Sequence, residues 1–574
     1  MVASVGLNVA QSTAIPLGPR KQAAADEPAD TAAVEPATSP PDRSNGTTQH
    51  GAGQARPTLS PEVSAQLLAQ QAADLPLDLS GQDLRNVDLS GLDLRGANLA
   101  GANLGGKDLS GFDFTDANLT GANFSGANLE GAFFKASVFD NADFSNANLQ
   151  NAEIRAALDI DDFDSGQERA LYGLIANNVN FEGADFRGAT LKSFHHIGSN
   201  FNSANFQGAS LINVSVHGSD FRDVSFDGAV IDRLQFRKES DVRGASFDNA
   251  TIQDLHLRTG TNIAGLDLSN RSLRGLSIYG TSVEGVDFSN SSFNGTHIGE
   301  TDLTRANISG VTDFRNSRLT SVDLSGLDLS GTDFRGAQFS YNSGNVGYLG
   351  NVDFSGADFS NSNLSGDFTQ TRLAGTLFVG ASLYWANFSG RTDVDFTGIA
   401  SIRSSELRGL DLSGLDLSNR DVSGNDFSGA NLSGVNFAGS DIFGRFVGAD
   451  LSGANLEGVS AIAADFSDAN LSGANLRGLI GSSLMMNSLS ITRSLTGDDL
   501  QAYLASNREA AANFTGANLA GADLSGATLL GAAFTGANIT GANFTDSFLQ
   551  GANFGDLDLT AALFKGANLK SVIR

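Results

Sequence analysis

The sequence predicts an all-β solenoid: a right-handed parallel β-helix whose coil closes after four five-residue sides. Leucine or phenylalanine recurs at 79, 84, 89, 94, 99, 104, 109, 114, 119, 124 and 129. A period of five matches neither the ~3.6 of an amphipathic helix nor the ~2 of a flat strand, so the chain must turn a corner every fifth residue. Composition points the same way. Of 574 residues, 67 are glycine and 39 phenylalanine, against 1 tryptophan and no cysteine, the usage of one motif copied many times.

Residues 1–59 are rich in Ala, Pro, Ser, Thr and Gln, carry no sustained periodicity and are expected to be a disordered tail. Residues 60–76 are expected to form a capping helix and lead-in. Ser60 is an N-cap, Pro61 stands at the first helical position, and Val63, Leu67 and Leu68 supply the apolar side. The repeat itself divides into three blocks, 77–154, 179–480 and 513–574. In each copy the central Leu or Phe points inward, and so does the small residue two positions before it. The Asp or Asn between them points out, and glycine near the corner accepts angles that a β-carbon resists. Coils stack at the ~4.8 Å strand spacing and lend stability to one another.

The frame gains one residue before Phe247, before Leu268 and between Ile308 and Phe314, loses one between Leu364 and Phe368, and slips again between Phe388 and Phe396, near Ile402, and between Ile442 and Leu451. Each slip predicts a bulge or a longer corner. Two longer interruptions, 155–178 and 481–512, read as helical loops. The first contains Ser165-Gly166-Gln167-Glu168 followed by Leu171, Leu174 and Ile175. The second contains Thr496-Gly497-Asp498-Asp499 followed by Leu500, Tyr503 and Leu504. Insertions of this kind often lie on the binding face of a solenoid.

Copies such as Ala97-Asn98-Leu99-Ala100-Gly101 and Ala102-Asn103-Leu104-Gly105-Gly106 resemble the pentapeptide-repeat protein family, over about residues 77–480 and 512–571. The resemblance implies a quadrilateral β-helix and a bacterial protein without catalytic activity. One branch of that family mimics B-form DNA and occupies gyrase; other members are effectors injected into host cells. This chain is much longer than the gyrase binders, carries a long tail they lack, and ends in repeat at Leu569 where they have a pairing helix.

Charge separates the two readings. Residues 1–75 hold 7 acids and 4 bases, so the body carries −25 of the net −28. Over roughly 22 coils, about 105 Å, that is one net charge per ~4 Å. Duplex DNA carries one per ~1.7 Å. Arg95, Arg187, Arg222, Arg233, Arg237 and Lys238 also interrupt the negative surface. The first expectation is therefore a non-enzymatic protein–protein interaction scaffold presenting an acidic rod. It would be cytoplasmic, or, as an effector, secreted into a host cell. Residues 1–25 contain no acid and are rich in Ser, Thr and Ala, as export segments often are. The alternative is a DNA-mimicking modulator of gyrase or topoisomerase.

No residue set suggests catalysis, a cofactor or a metal. The acids Asp159, Asp161, Asp162 and Asp164 have Phe163 where a calcium loop needs its third ligand. His196 falls on an inward position and His195 on an outward one, so they cannot share an ion. His50, His217, His256 and His297 show no ligand spacing, and Lys107 occupies a small inward position from which its stem must reach out past the corner. The expected partner is an unidentified protein, with no direct nucleic-acid binding and no membrane span. The last coil, near Phe564 and Leu569, shows no lid, so a homodimer through the C-terminal coil is a further expectation.

Overall fold

The computed structural model describes Leu67, residues 69–73, and residues 75–156, 174–340, 349–482 and 511–574. The tail 1–59 and the helical readings at 157–173 and 483–510 lie outside the described residues.

From residue 75 onward the described residues form a parallel β-solenoid. Its unit can be read at one corner. Ala102 N donates to Leu99 O at 2.9 Å, and Gly101 between them has φ +66°. A four-residue turn with positive φ at its third residue is a type II turn, and glycine enters it without strain. Where glycine is absent, Asn is the commonest replacement, as at Asn141, Asn146 and Asn151, with φ between 55° and 58°. Asparagine tolerates this region better than most side chains.

Between corners each side is too short for a long strand and pairs by single bridges. Asp78 bridges Asn98, which bridges Asn118, always parallel. Leu79 N donates to Asn98 O, and Asn98 N to Leu77 O, both at 2.8 Å. Each coil thus satisfies its backbone groups on the coils below and above. Side chains follow the predicted alternation: Ala97, Leu99, Ala102 and Leu104 are fully buried. Phenylalanines stack along the interior at coil spacing, Phe124 on Phe144 at 4.8 Å and Phe201 on Phe221 at 4.4 Å.

The excursions leave this interior unbroken. Phe144 stacks on Phe181 at 5.1 Å and Phe466 on Phe514 at 5.1 Å, although 37 and 48 residues separate the coils they join. At the second excursion the chain leaves and returns side by side: Ser482 and Ala511 form an antiparallel bridge, and Ala512 N donates to Gly481 O at 2.7 Å.

Two expectations change. Leu174–Asn177 is a strand paired with Phe194–Ile197, so the solenoid resumes before residue 179 and Leu174 and Ile175 do not belong to a helix. A third excursion escaped the sequence frame. Leu319 pairs with Phe339, as usual 20 residues on, but Gln338 pairs with Asn363, five residues further than usual. The five extra residues fall between Ser340 and Leu349. An insertion of one whole repeat length leaves a five-residue frame in phase, so periodicity cannot reveal it.

At the N-terminal side residues 67 and 69–72 are helical, and Leu67 is buried in the solenoid's own core. Gln71 Nε2 donates to Gly91 O at 3.0 Å. In the last coil Phe564 and Leu569 are half-buried, whereas their counterparts in inner coils are fully covered. Among the described residues no helix is long and apolar enough to cross a membrane.

Candidate functional site

The regular surface explains its own composition. The outward Asp or Asn accepts a hydrogen bond from the backbone N–H two residues on, as Asp113 does from Thr115 at 2.9 Å and Asn118 from Thr120 at 3.2 Å. Either side chain supplies that oxygen, so the two interchange. Asparagines add ladders between coils: Asn118 Nδ2 donates to Asn98 Oδ1 at 3.2 Å, and Asn98 Nδ2 to Asp78 Oδ1 at 3.1 Å.

Where arginine follows two residues after aspartate, the guanidinium folds back onto the carboxylate. Arg187 lies 2.7 Å from Asp185, Arg222 2.5 Å from Asp220, Arg243 2.7 Å from Asp241 and Arg335 2.5 Å from Asp333. Hydrogen bonding from Arg85 lowers the Asp83 carboxyl to about 2, and Arg315 does the same for Asp313. These aspartates are therefore paired where they stand.

Two places break this pattern. The first is a concave basin of about 380 Å³, lined by His195, His217, Arg233, Arg237, Asp254 and His256, with Ile197 and Val214 as apolar wall. The strands beneath it, Ser210–His217 and Val230–Phe236, are the two longest among the described residues. They continue through left-handed residues, Asn213 at φ 54° and Arg233 at φ 62°. Parallel register aligns one outward row as His195, Ser215, Gln235, His256, Ser277 and His297. A second row runs through His217, Arg237 and Arg258, each two residues after a member of the first.

In this second row the aspartate fork is missing. Arg237 Nε and Nη2 donate to Gln235 Oε1 at 3.0 and 2.9 Å. Arg258 Nη2 donates to His256 Nδ1 at 2.9 Å, and His256 Nε2 donates to Asp254 Oδ1 at 2.7 Å. Burial, and then Arg237 beside it, lower Arg258 from the ordinary arginine value. His195 is lowered by burial and by the same Arg237. His195 lines the basin as its outward position requires, yet neighbours leave it only 9% exposed. His196 points inward among Phe181, Phe194 and Phe201, with neither ring nitrogen partnered. Burial, with His195 adding to it, lowers His196 to about 3.

The second break is aromatic. Leu364 pairs with Leu383 and Gly366 with Ala386, so one residue, Ser365, faces two, Tyr384 and Trp385. This β-bulge turns both rings outward, stacked at 4.7 Å and 24°. Trp385 is the only tryptophan of the chain, 58% exposed, with φ 55°. A bulky residue in that region is strained.

The remaining residues singled out in the sequence are dispersed. Asp159, Asp161, Asp162, Asp164 and His50 lie outside the described residues. Lys107 is half-buried and donates to Val87 O one coil below, and burial lowers its amine. His297 lies further along the basin row, lowered by burial first and then by Arg318, Arg258 and His256. Among the described residues no three His, Asp or Glu side chains are placed to share a metal ion. Periodicity alone did not show the basin, because its residues become neighbours only through coil lengths of 20 and 21.

A family model for pentapeptide repeats matches residues 78–116, 117–155, 197–232, 272–310, 312–341, 405–442, 445–478 and 512–551, just over half of the chain. Among solved structures, the chain is similar to HetL, a pentapeptide repeat protein involved in heterocyst differentiation regulation in the cyanobacterium Nostoc sp. That match has 22% identity over 53% of this chain and 91% of HetL, with TM-score 0.15. QnrB1, a plasmid-mediated fluoroquinolone resistance protein, is 20% identical over 52% of this chain and 93% of its own, with TM-score 0.15. A pentapeptide repeat protein of the Arabidopsis thaliana thylakoid lumen is 30% identical over 25% of this chain and 68% of its own, with TM-score 0.10. No curated protein sequence matches this one significantly.

Proposed function

Because the chain belongs to the pentapeptide-repeat family, we propose that it is a non-enzymatic scaffold that holds a protein partner against one side of its solenoid. The observation that carries this reading is the Tyr384–Trp385 pair. Tryptophan and tyrosine dominate the energetics of protein interfaces. Here the single tryptophan is spent on the surface, in a strained backbone conformation, beside a stacked tyrosine. A core role would bury it, whereas it is 58% exposed.

The test is comparative. The full chain and its Trp385→Ala variant are used as baits under identical crosslinking conditions. A partner retained by the first and lost by the second supports the reading; identical partner sets for both overturn it.

The forks weigh against the rival DNA-mimic reading. Asp185, Asp220, Asp241 and Asp333 each carry a guanidinium within hydrogen-bond distance, so these acids do not present the bare, regular charge of a phosphate backbone. The effector form of the proposal rests on residues 1–25. A reporter fused to residues 1–60 that stays inside a secretion-competent cell removes that support.

A further inference from the structure

We propose that the row His217–Arg237–Arg258, flanked by Arg233 and His256, is a binding site for a multiply charged oxyanion. That chemistry is shared by a phosphate ester and by neighbouring carboxylates of an acidic peptide. The site is separate from the Tyr384–Trp385 surface and does not depend on it.

The first argument is the departure from the chain's own rule. On this surface arginine two residues after aspartate is neutralised by it, as at Arg187, Arg222, Arg243, Arg315 and Arg335. Arg237 and Arg258 hold the same position in the repeat, but the residue two before them is Gln235 and His256. Both accept from a guanidinium and neither is a carboxylate that pairs with it directly. Asp254 is hydrogen-bonded to His256 Nε2, fixes the ring whose Nδ1 receives Arg258, and attracts Arg258 without a direct hydrogen bond to it. Asp232 lies 3.7 Å from Arg233, at the rim.

The second argument is proximity. Arg237 N donates to Val216 O and Arg258 N to Phe236 O, so the two arginines sit on successive coils, directly above His217. Coils are spaced at ~4.8 Å, and two like charges at that spacing repel unless an anion lies between them. The fall in the Arg258 value that Arg237 causes is the same repulsion seen from the proton's side.

The third argument is shape. Two members of the row, His217 and Arg237, line a basin of about 380 Å³ together with Arg233 and His256, with Ile197 and Val214 in its wall; Arg258 reaches it through its hydrogen bond to His256. A water molecule occupies ~30 Å³, so there is room for a phosphoryl group or a short acidic side chain with its surroundings. Low-dielectric walls around a charged cleft concentrate its field. The body as a whole is acidic, but at physiological salt its field decays over ~8 Å, and the local cations decide what binds. Guanidinium forks match oxyanions in bidentate geometry, which a lysine patch would not.

The experiment uses the full chain at physiological ionic strength, with pyrophosphate as one probe and a four-aspartate peptide as the other. Binding is measured calorimetrically. Saturable binding of either probe is expected, weakened about tenfold or more in Arg237→Gln/Arg258→Gln and unchanged in Arg335→Gln, whose guanidinium already has its carboxylate. The probe that binds identifies the source: pyrophosphate a phosphorylated ligand, the peptide an acidic protein segment. Hydrogen exchange on the unmutated chain supplies a readout that needs no variant, with protection by the bound probe expected within residues 210–260. Absence of saturable binding by both probes, equal binding by the double variant, or protection confined to other coils overturns the proposal.

Discussion

Replacing Trp385 by glycine and by alanine separates backbone strain from side-chain contact. Both substitutions remove the same indole and its stacking on Tyr384, so their difference reports the backbone alone. At an ordinary strand position glycine is less stable than alanine by roughly 0.5–1 kcal/mol, from its larger conformational entropy. At 385 the backbone has φ 55°. A β-carbon there costs about 1–2 kcal/mol. The two effects oppose, and the net expectation is that glycine is the more stable by roughly 0.5–1 kcal/mol. The order of the two variants is thus reversed relative to a strand. Hydrogen exchange of the segment 382–390 is a suitable assay, because Phe388 N donates to Glu406 O and these amides open with the bulge. A difference of ~1 kcal/mol is about a fivefold change in the opening constant, with RT near 0.6 kcal/mol. Alanine as protected as glycine, or more so, would refute the strain argument and with it the claim that the tryptophan is kept there against the local preference. Both variants are expected to lose the partner that depends on the exposed ring.

Four other outcomes are expected. Phe124 is fully buried and stacked on Phe144, so Phe124→Asp should cost more than the ~3–5 kcal/mol of a Phe→Ala change and should open the adjacent coils in hydrogen exchange. Asp143 on the next coil accepts from Ser145 N, and an asparagine keeps that oxygen, so Asp143→Asn should stay within about ±0.5 kcal/mol; similar damage from both would contradict the inward–outward assignment. His196 has its folded pKa lowered from 6.5 to about 3. Its stabilising effect is therefore complete above pH 6.5 and lost progressively as pH falls toward 3, where the unfolded chain takes up a proton that the folded chain refuses. His196→Phe should flatten thermal stability across that window, and an unchanged slope would count against it. The purified chain is expected to leave gyrase supercoiling and quinolone-stabilised cleavage unaltered at micromolar concentration; inhibition there would restore the DNA-mimic reading.

The sequence by itself determined which side chains face in and which face out. A five-residue period carries that information at every position, because burial repeats with the corner. Ala97 and Leu99 inside and Asn98 outside could be read from three letters. So could the tolerance of Asn for Asp, since the hydrogen bond each makes is to a backbone two residues away. The slip between Leu364 and Phe368 announced a bulge but not that Trp385 would be turned outward by it, since that depends on the register of the neighbouring coil. Only the tertiary structure decided what lies above and below. Vertical neighbours are separated by a whole coil, and coil length is 20 residues in most places, 21 or 19 at slips, and 25, 37 or 48 at excursions. The excursion between Ser340 and Leu349 adds a whole repeat and is silent in the frame. His217, Arg237 and Arg258 are 20 and 21 residues apart, far in sequence and adjacent in space. Inward or outward is a local property of the repeat, whereas a site on a solenoid is made by stacking, and stacking sums every slip along the chain.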